Sequence, residues 1–259
     1  MRKVGVEMKN YHTHTYRCHH AIGKEEEYVQ KAIEGGYEEL GFSDHTPWHY
    51  KSHFVSSMRM REEELDGYIS SLKKLREKYK NQISIKIGLE VEYFEKYIPW
   101  LKKVIKKKDI DYIILGNHFD GSDEYGIYYG MPIEYRDLVK YVDGVIKGID
   151  TGLFSYVAHP DLACFDSDDK RYVEEYRRLC IHAKKKDIPL EFNLLGYKTN
   201  RHYPNPVFWQ LVSQIGNKAI IGTDAHEPYR LNDRDTYNQA IEYLNQLGVE
   251  ITEDIKFFR

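Results

Sequence analysis

Cysteine is scarce in this chain: Cys18, Cys164 and Cys180 are three in number, odd and widely spaced. That excludes a disulfide framework and points to a reducing compartment. No apolar run approaches the ~20 residues needed to span a bilayer. The opening MRKVGVEMKNYHTH has no apolar stretch of the kind a signal peptide carries, so a cytoplasmic protein without a membrane partner is expected. Neither sign of charge is in surplus, with Lys+Arg 38, Asp+Glu 41, net charge −3 and pI near 6.5. Long nucleic acid is therefore not an expected partner. Linkers rich in Gly, Pro and Ser, low-complexity tracts and internal repeats are missing, and the basic run 102–108 falls in a helical pattern, where it reads as a solvated face. Also missing are a Gly-x-x-x-x-Gly-Lys loop, a Gly-x-Gly-x-x-Gly after the first apolar run and a Gly-x-Ser-x-Gly elbow. These absences remove nucleotide-cradling loops and the α/β-hydrolase nucleophile.

What is present is alternation. Short apolar runs predict strands over Asn10–His14, Glu39–Ser43, Ser84–Glu92, Tyr112–Asn117, Ser155–His159, Leu190–Asn193 and Ala219–Thr223. Amphipathic stretches between them predict helices over Lys24–Glu34, Arg61–Tyr79, Lys96–Lys107, Ile133–Gly148, Lys170–Lys186, Pro206–Gln214 and Arg234–Leu247. Repeated β→α units imply a parallel sheet with right-handed crossovers. The nearest architecture is a distorted (β/α)7 barrel, related to the TIM barrel, in a single domain over residues 1–259.

The polar residues that could carry chemistry sit where these strands end. His12 and His14 close the first; Asp44 and His45 follow the second; Glu90 and Glu92 lie late in the third. Asn117 and His118 close the fourth, His159 and Asp161 the fifth, Asn193 the sixth, and Asp224 and His226 follow the seventh. In α/β barrels such ends meet at one mouth, so imidazoles and carboxylates are expected to converge. The His-x-His pair points two rings to one face, because side-chain direction repeats every two residues along a strand. Nitrogen and oxygen ligands without cysteine suit zinc, iron or manganese better than calcium or a structural Cys-rich site. More ligands are on offer than one ion can use, so two or three ions sharing a carboxylate are expected. Such clusters perform in-line hydrolysis at phosphorus. Cys18, near histidines, leaves a Cys–His nucleophile as a lesser alternative.

At these residues the sequence resembles the polymerase and histidinol phosphatase (PHP) family, and within it the histidinol-phosphate phosphatases. The anchors are YHTHTYRCHH at 11–20, FSDHTP at 42–47, SSMRM at 56–60, IGLEVEY at 87–93, DYIILGNHFDG at 111–121, GLFSYVAHPDL at 152–162 and IIGTDAH at 220–226. The resemblance implies a trinuclear centre: a first site of His12, His14, Glu90 and Asp224, a second of Glu90, His118 and His159 with Glu90 bridging, and a third of His20, His45 and His226. His20 is preferred to His19 because the family spaces this histidine six residues after the second of the His-x-His pair. The chain departs from the family after the sixth strand, where Lys198 stands in place of an expected arginine and Arg201 follows three residues later. Lys198, Arg201 and Arg59 of SSMRM are thus the candidate phosphate-binding cations. Arginine grips phosphate in a bidentate way that lysine does not. The acidic, tyrosine-rich loop Phe119–Pro132 leaves the fourth strand at the same mouth and could receive the amino group and imidazole of the substrate.

The implied reaction is hydrolysis of a small phosphomonoester, L-histidinol phosphate. Asp161 is a candidate proton donor to the leaving group, and Glu90 is the central carboxylate. A nucleotide or another small phosphoester is the alternative substrate. A metal-holding subunit without catalysis is a third reading, and a full ligand set at an open mouth speaks against it.

Overall fold

Residues 8–258, which the computed structural model describes, turn the alternating pattern into parallel strands and covering helices. The strands are β1 (Met8–Asn10), β2 (Tyr37–Phe42), β3 (Ser84–Val91), β4 (Tyr112–Leu115), β5 (Leu190–Asn193), β6 (Lys218–Gly222) and β7 (Glu250–Ile251). Between them lie α1 (Glu25–Gly35), α2 (Leu65–Tyr79), α3 (Ile98–Lys107), α4 (Tyr135–Asp150), α5 (Lys170–Lys185), α6 (Leu194–Lys198), α7 (Pro206–Ile215) and α8 (Arg234–Gln246). All pairings between these strands are parallel, in the orders β1-β2-β3-β4 and β5-β6-β7. The result is an α/β fold on a curled parallel sheet.

The helices form for local reasons. In α4, Leu138, Tyr141, Val142, Val145 and Ile149 recur at helical spacing and are buried, giving one apolar stripe against the sheet. The α1 helix stops at Gly36, whose φ of 77° is the left-handed cap that glycine adopts without strain. Asn193 ends β5 and caps α6 by accepting from Gly196 N–H at 2.9 Å.

Three departures from the sequence reading matter for the site. The first strand ends at Asn10, so His12 and His14 lie just beyond it; Thr13 still bridges Ala225 in parallel, beyond the end of β6. The expected strand 155–159 makes no ladder of its own. Val157 alone bridges Leu115 on one side and Leu190 on the other, joining the two runs of strands. The segment ends at His159, whose φ of 28° leaves the extended region, and Pro160 has no N–H to continue a ladder. The pair Glu250–Ile251, not expected from the sequence, adds β7 beside β6. The following segment closes the far end of the sheet. Ile255 and Phe257 pack on Tyr11, Tyr112 and Tyr156, and Phe258 N–H donates to Asp111 O at 2.7 Å. Among the described residues, no helix is long and apolar enough to cross a membrane.

Candidate metal centre

The C-terminal ends of the strands surround a cavity of roughly 640 Å³ whose lining includes His14, His20, His45, Glu90, His118, His159, Asp224 and His226. His12 completes the group from below, fully buried. Its Nε2 lies 3.1 Å from His14 Nε2, 3.5 Å from Glu90 Oε2 and 3.4 Å from Asp224 Oδ1. His14 Nε2 lies 3.3 Å from Glu90 Oε2 and 3.4 Å from Asp224 Oδ1. The other oxygen of Glu90 faces a second pair of rings, 2.8 Å from His159 Nε2 and 3.4 Å from His118 Nε2. A third group is looser. His20 Nε2 and His226 Nε2 are 3.0 Å apart, while the His45 ring centre is 5.3 Å from that of His20 and its Nδ1 turns to Glu90 Oε2 at 3.0 Å.

These spacings suit a bound cation. Two donors held at about 2.1 Å from one ion, at tetrahedral to octahedral angles, lie about 3.0–3.4 Å from each other. Hydrogen bonding does not account for the same atoms. Glu90 Oε2, Asp224 Oδ1 and His45 Nδ1 are buried and make no hydrogen bond, although nitrogens stand close by. Two imidazole nitrogens aimed at each other, as in His12 and His14, have nothing to share unless a proton or a cation sits with them. The donor set therefore fits a cluster of divalent metals.

The surroundings aim the donors. Glu191 is fully buried in β5 and accepts from His12 Nδ1 at 2.7 Å, so the Nε2 of that ring faces the cavity. Glu191 also accepts from His159 N–H at 2.9 Å and from Asn193 Nδ2 at 3.0 Å. Asn193 donates to Asp224 Oδ2 at 3.0 Å and leaves Oδ1 facing the cage. Sequence reading passed over Glu191; its signal was a charge inside the apolar run Leu190–Asn193. Asp224 holds φ at 50°, a left-handed turn at the point where β6 must deliver its carboxylate. Electrostatics favours ionised carboxylates. Burial pushes Glu90 up, but His118, His45 and His12 outweigh it and hold the carboxyl well below its usual range. Burial pulls His12 down, but Glu191, Asp224 and Glu90 raise it to about 10. Burial dominates at His45, with His14 and His118 acting the same way against Glu90, and the ring falls to about 3.

Close packing makes room for Glu90. A Cβ on Gly116 would lie 1.9 Å from Glu90 Oε1. Gly116→Ala should therefore displace that carboxylate, lowering stability by about 1–3 kcal/mol as overpacking does and releasing metal. Thermal melts paired with metal analysis of the purified variant check both effects.

The structure leaves three candidates out of the cavity. Arg59 is 1% exposed and fully engaged with Glu92 and Asp123, so it is a buried ion-pair member and not a rim cation. Lys198 is on the outer side of α6, its side chain 48% exposed, 3.1 Å from Asp233. Asp161 is buried behind the cavity wall, where one oxygen accepts from Asn205 N–H at 2.6 Å. Its burial, against the opposing bond from Asn205, lifts the carboxyl to about 7, and Asp161 is not among the residues lining the cavity. Arg201 does line the cavity, its Nη1 donating to Tyr203 Oη at 2.8 Å. Arg230, four residues after His226, lines it too and pairs with Glu227 at 2.7 Å. Sequence reading did not single out Arg230. From the loop Phe119–Pro132, Phe119 and Tyr128 reach the cavity, while Asp120 pairs with Lys140 and Asp123 with Arg59 on the outside of it.

A curled parallel sheet with a histidine–carboxylate cage at its mouth is the build of a metal-dependent hydrolase. The family model for the PHP domain matches residues 10–194, more than half of the chain. The chain belongs to that family. Curated relatives include the "Probable histidinol-phosphatase" of Deinococcus radiodurans, 28% identical over 92% of this chain and 92% of its own length. The histidinol-phosphatase of Bacillus subtilis is 27% identical over 86% of this chain and 94% of its own. Among solved structures, the histidinol phosphate phosphatase of Lactococcus lactis, complexed with zinc, L-histidinol and phosphate, superposes with a TM-score of 0.72 at 20% identity, covering 98% of this chain and 99% of that one.

Proposed function

We propose that this chain hydrolyses L-histidinol phosphate to L-histidinol and phosphate, using two or three divalent ions of zinc, iron or manganese. The observation that carries the reading is Glu90, fully buried, with its two oxygens turned to two separate sets of imidazoles at the floor of a cavity whose rim holds Arg201. His12, His14, Glu90 and Asp224 would hold one ion; Glu90, His118 and His159 a second; His20, His45 and His226 a third. Such a cluster supplies charge neutralisation at the phosphoryl oxygens and a more acidic water. The chain's own residues do the rest. Glu191 and Asn193 orient the ligands, and Arg201 offers its free N–H groups to a phosphate oxygen. Leu162, Leu195 and Met58 give the cavity an apolar part of its lining. Curated relatives of matching length, named histidinol-phosphatases, support the choice of substrate.

We read the two runs of strands, joined through Val157 and through Thr13 and Ala225, as one distorted (β/α)7 barrel in one domain over the whole chain. The same reading expects a cytoplasmic enzyme that acts on a small phosphate ester, without long nucleic acid or a membrane as partner; Cys18, Cys164 and Cys180 are all free thiols.

The test is phosphate release from a panel of esters by protein of measured metal content. L-Histidinol phosphate should be turned over at least ~10²-fold faster, in kcat/KM, than sugar phosphates or nucleotides, the discrimination that a few well-placed polar contacts supply. Equal turnover of nucleotides would reassign the substrate. Stripping the metal with a chelator should abolish activity and lower Tm, and adding zinc or manganese back should restore both, since an ion that binds only the native state stabilises it. Unchanged activity in fully stripped protein would remove the metal from the reaction.

A further inference from the structure

One buried cation, Arg59, bonds the tip of the loop after His118 directly and reaches its root through Glu92. After His118 the chain makes a hairpin. Phe119 and Tyr128 bridge in antiparallel fashion, Tyr129 N–H returns to His118 O at 2.8 Å, and Tyr128 lies against the cavity. Near the tip, the Asp123 side chain is 3% exposed. It accepts from Tyr50 Oη at 2.5 Å, Ser56 Oγ at 2.7 Å and Arg59 Nε at 2.9 Å. The rest of the Arg59 fork goes the other way. Nη2 and Nη1 donate to the two oxygens of Glu92 at 2.8 and 3.0 Å, and Nη1 also to Thr46 O at 3.0 Å. Glu92 is fully buried, accepts from Trp48 Nε1 at 3.0 Å and stands 3.4 Å from His118 Nδ1. His118 thereby presents its other nitrogen to Glu90.

We propose that Arg59 is a positioning residue with two separable arms: through Glu92 it sets the ring of His118 for its metal, and through Asp123 it holds the hairpin that carries Tyr128 over the substrate cavity. The arms are distinct because they use different nitrogens and different carboxylates. Lysine does not substitute: a single ammonium cannot reach Glu92, Thr46 O and Asp123 at once, whereas the planar fork does. Without Arg59, Glu92 would be a buried unpaired carboxylate next to a ligand ring, and the hairpin would lose the buried charge that its tip answers to. An outer partner that orients a ligand commonly changes metal affinity without touching the metal; a loop that covers a site changes how substrate is held.

The experiment compares Glu92→Gln, Asp123→Asn and Arg59→Lys with the wild-type holoenzyme by three measurements. Zinc affinity is read by competition with a chromophoric chelator. Hairpin mobility is read as the rate of limited proteolysis within residues 119–128. The kinetic split is read on L-histidinol phosphate. Only this last readout rests on the proposed substrate; a wild type that turns over nothing would fail that reading and leave the first two intact. Glu92→Gln should weaken zinc binding by ~10-fold or more, as loss of an outer-shell acceptor does, with cleavage of the hairpin near wild type. Asp123→Asn should leave zinc affinity within ~2-fold, speed cleavage, and raise KM by ~5-fold with little change in kcat, as expected of loop positioning. Arg59→Lys should show both defects. Zinc affinity unchanged in Glu92→Gln, cleavage and KM unchanged in Asp123→Asn, or zinc affinity falling equally in both, would each overturn the proposal.

Discussion

Glu90→Gln should cost at least ~10³-fold in kcat/KM, about 4 kcal/mol of transition-state stabilisation, and should lose bound metal. The position explains the size of the effect. Glu90 sits near the end of β3 with 1% exposure, and each oxygen has its own audience: Oε2 faces His12, His14 and His45, and Oε1 faces His118 and His159. Glutamine keeps the shape but turns one oxygen into an N–H₂ donor and removes the charge. Whichever way the amide flips, one set of imidazoles meets a group that cannot bind a cation. The change also removes the anion that balances the buried rings, so affinity should fall at more than one site. Metal analysis should show fewer equivalents per chain than in wild type, with far-UV circular dichroism unaltered. Full metal content together with wild-type turnover would rule out Glu90 as the bridge.

Most of the cage was legible in the sequence because one rule, strand ends at one mouth, applies independently to His12, His14, His45, Glu90, His118, His159, Asp224 and His226; His20, far from any strand end, came only from the family's spacing. His12 and His14 illustrate the rule: their spacing sets both rings on one side even though the strand proper stops at Asn10. The rule fails to separate residues that face the cage from residues that orient them. Glu90 and Glu92 share spacing and chemistry, yet Glu90 faces the rings while Glu92, one residue past the end of β3, turns to Arg59 and Trp48. Only packing makes that distinction. Arg59 raises the same difficulty: a cation near the mouth reads alike whether it meets substrate or a buried carboxylate, and here it pairs with Glu92 and Asp123. The strand expected over 155–159 carries the right apolar residues, but its backbone must deliver His159 in a left-handed turn, and a local constraint of the site overrides the propensity. The two-residue β7 leaves no periodicity to read.

Arg201→Gln should lower kcat/KM for L-histidinol phosphate by ~10²-fold, about 3 kcal/mol, whereas Lys198→Gln should change it by no more than ~2-fold, as is usual for an exposed ion pair. The family's arginine would stand where Lys198 does, so sequence position alone favours Lys198. The local geometry reverses that order. Asn193 starts a helix of a single turn, α6, whose last residue is Lys198. At that point the ammonium is on the outside, bound to the Asp233 that caps α8. The chain then folds back, with Arg201 N–H donating to Gly196 O at 3.0 Å, and this return carries the guanidinium to the cavity rim beside Tyr203. Tyr203 engages Nη1 and leaves the other N–H groups to an incoming oxygen. Arg201→Lys should fall between, down by ~10-fold, because it keeps the charge and loses the paired donors. The same order should appear in the inhibition constant for inorganic phosphate, which probes the anion grip apart from the rest of the substrate. A Lys198 variant as weak as Arg201→Gln would return the phosphate site to the outer face of α6. If both were silent, the anion would have to be held by Arg230, the other arginine lining the cavity among the described residues, once released from Glu227.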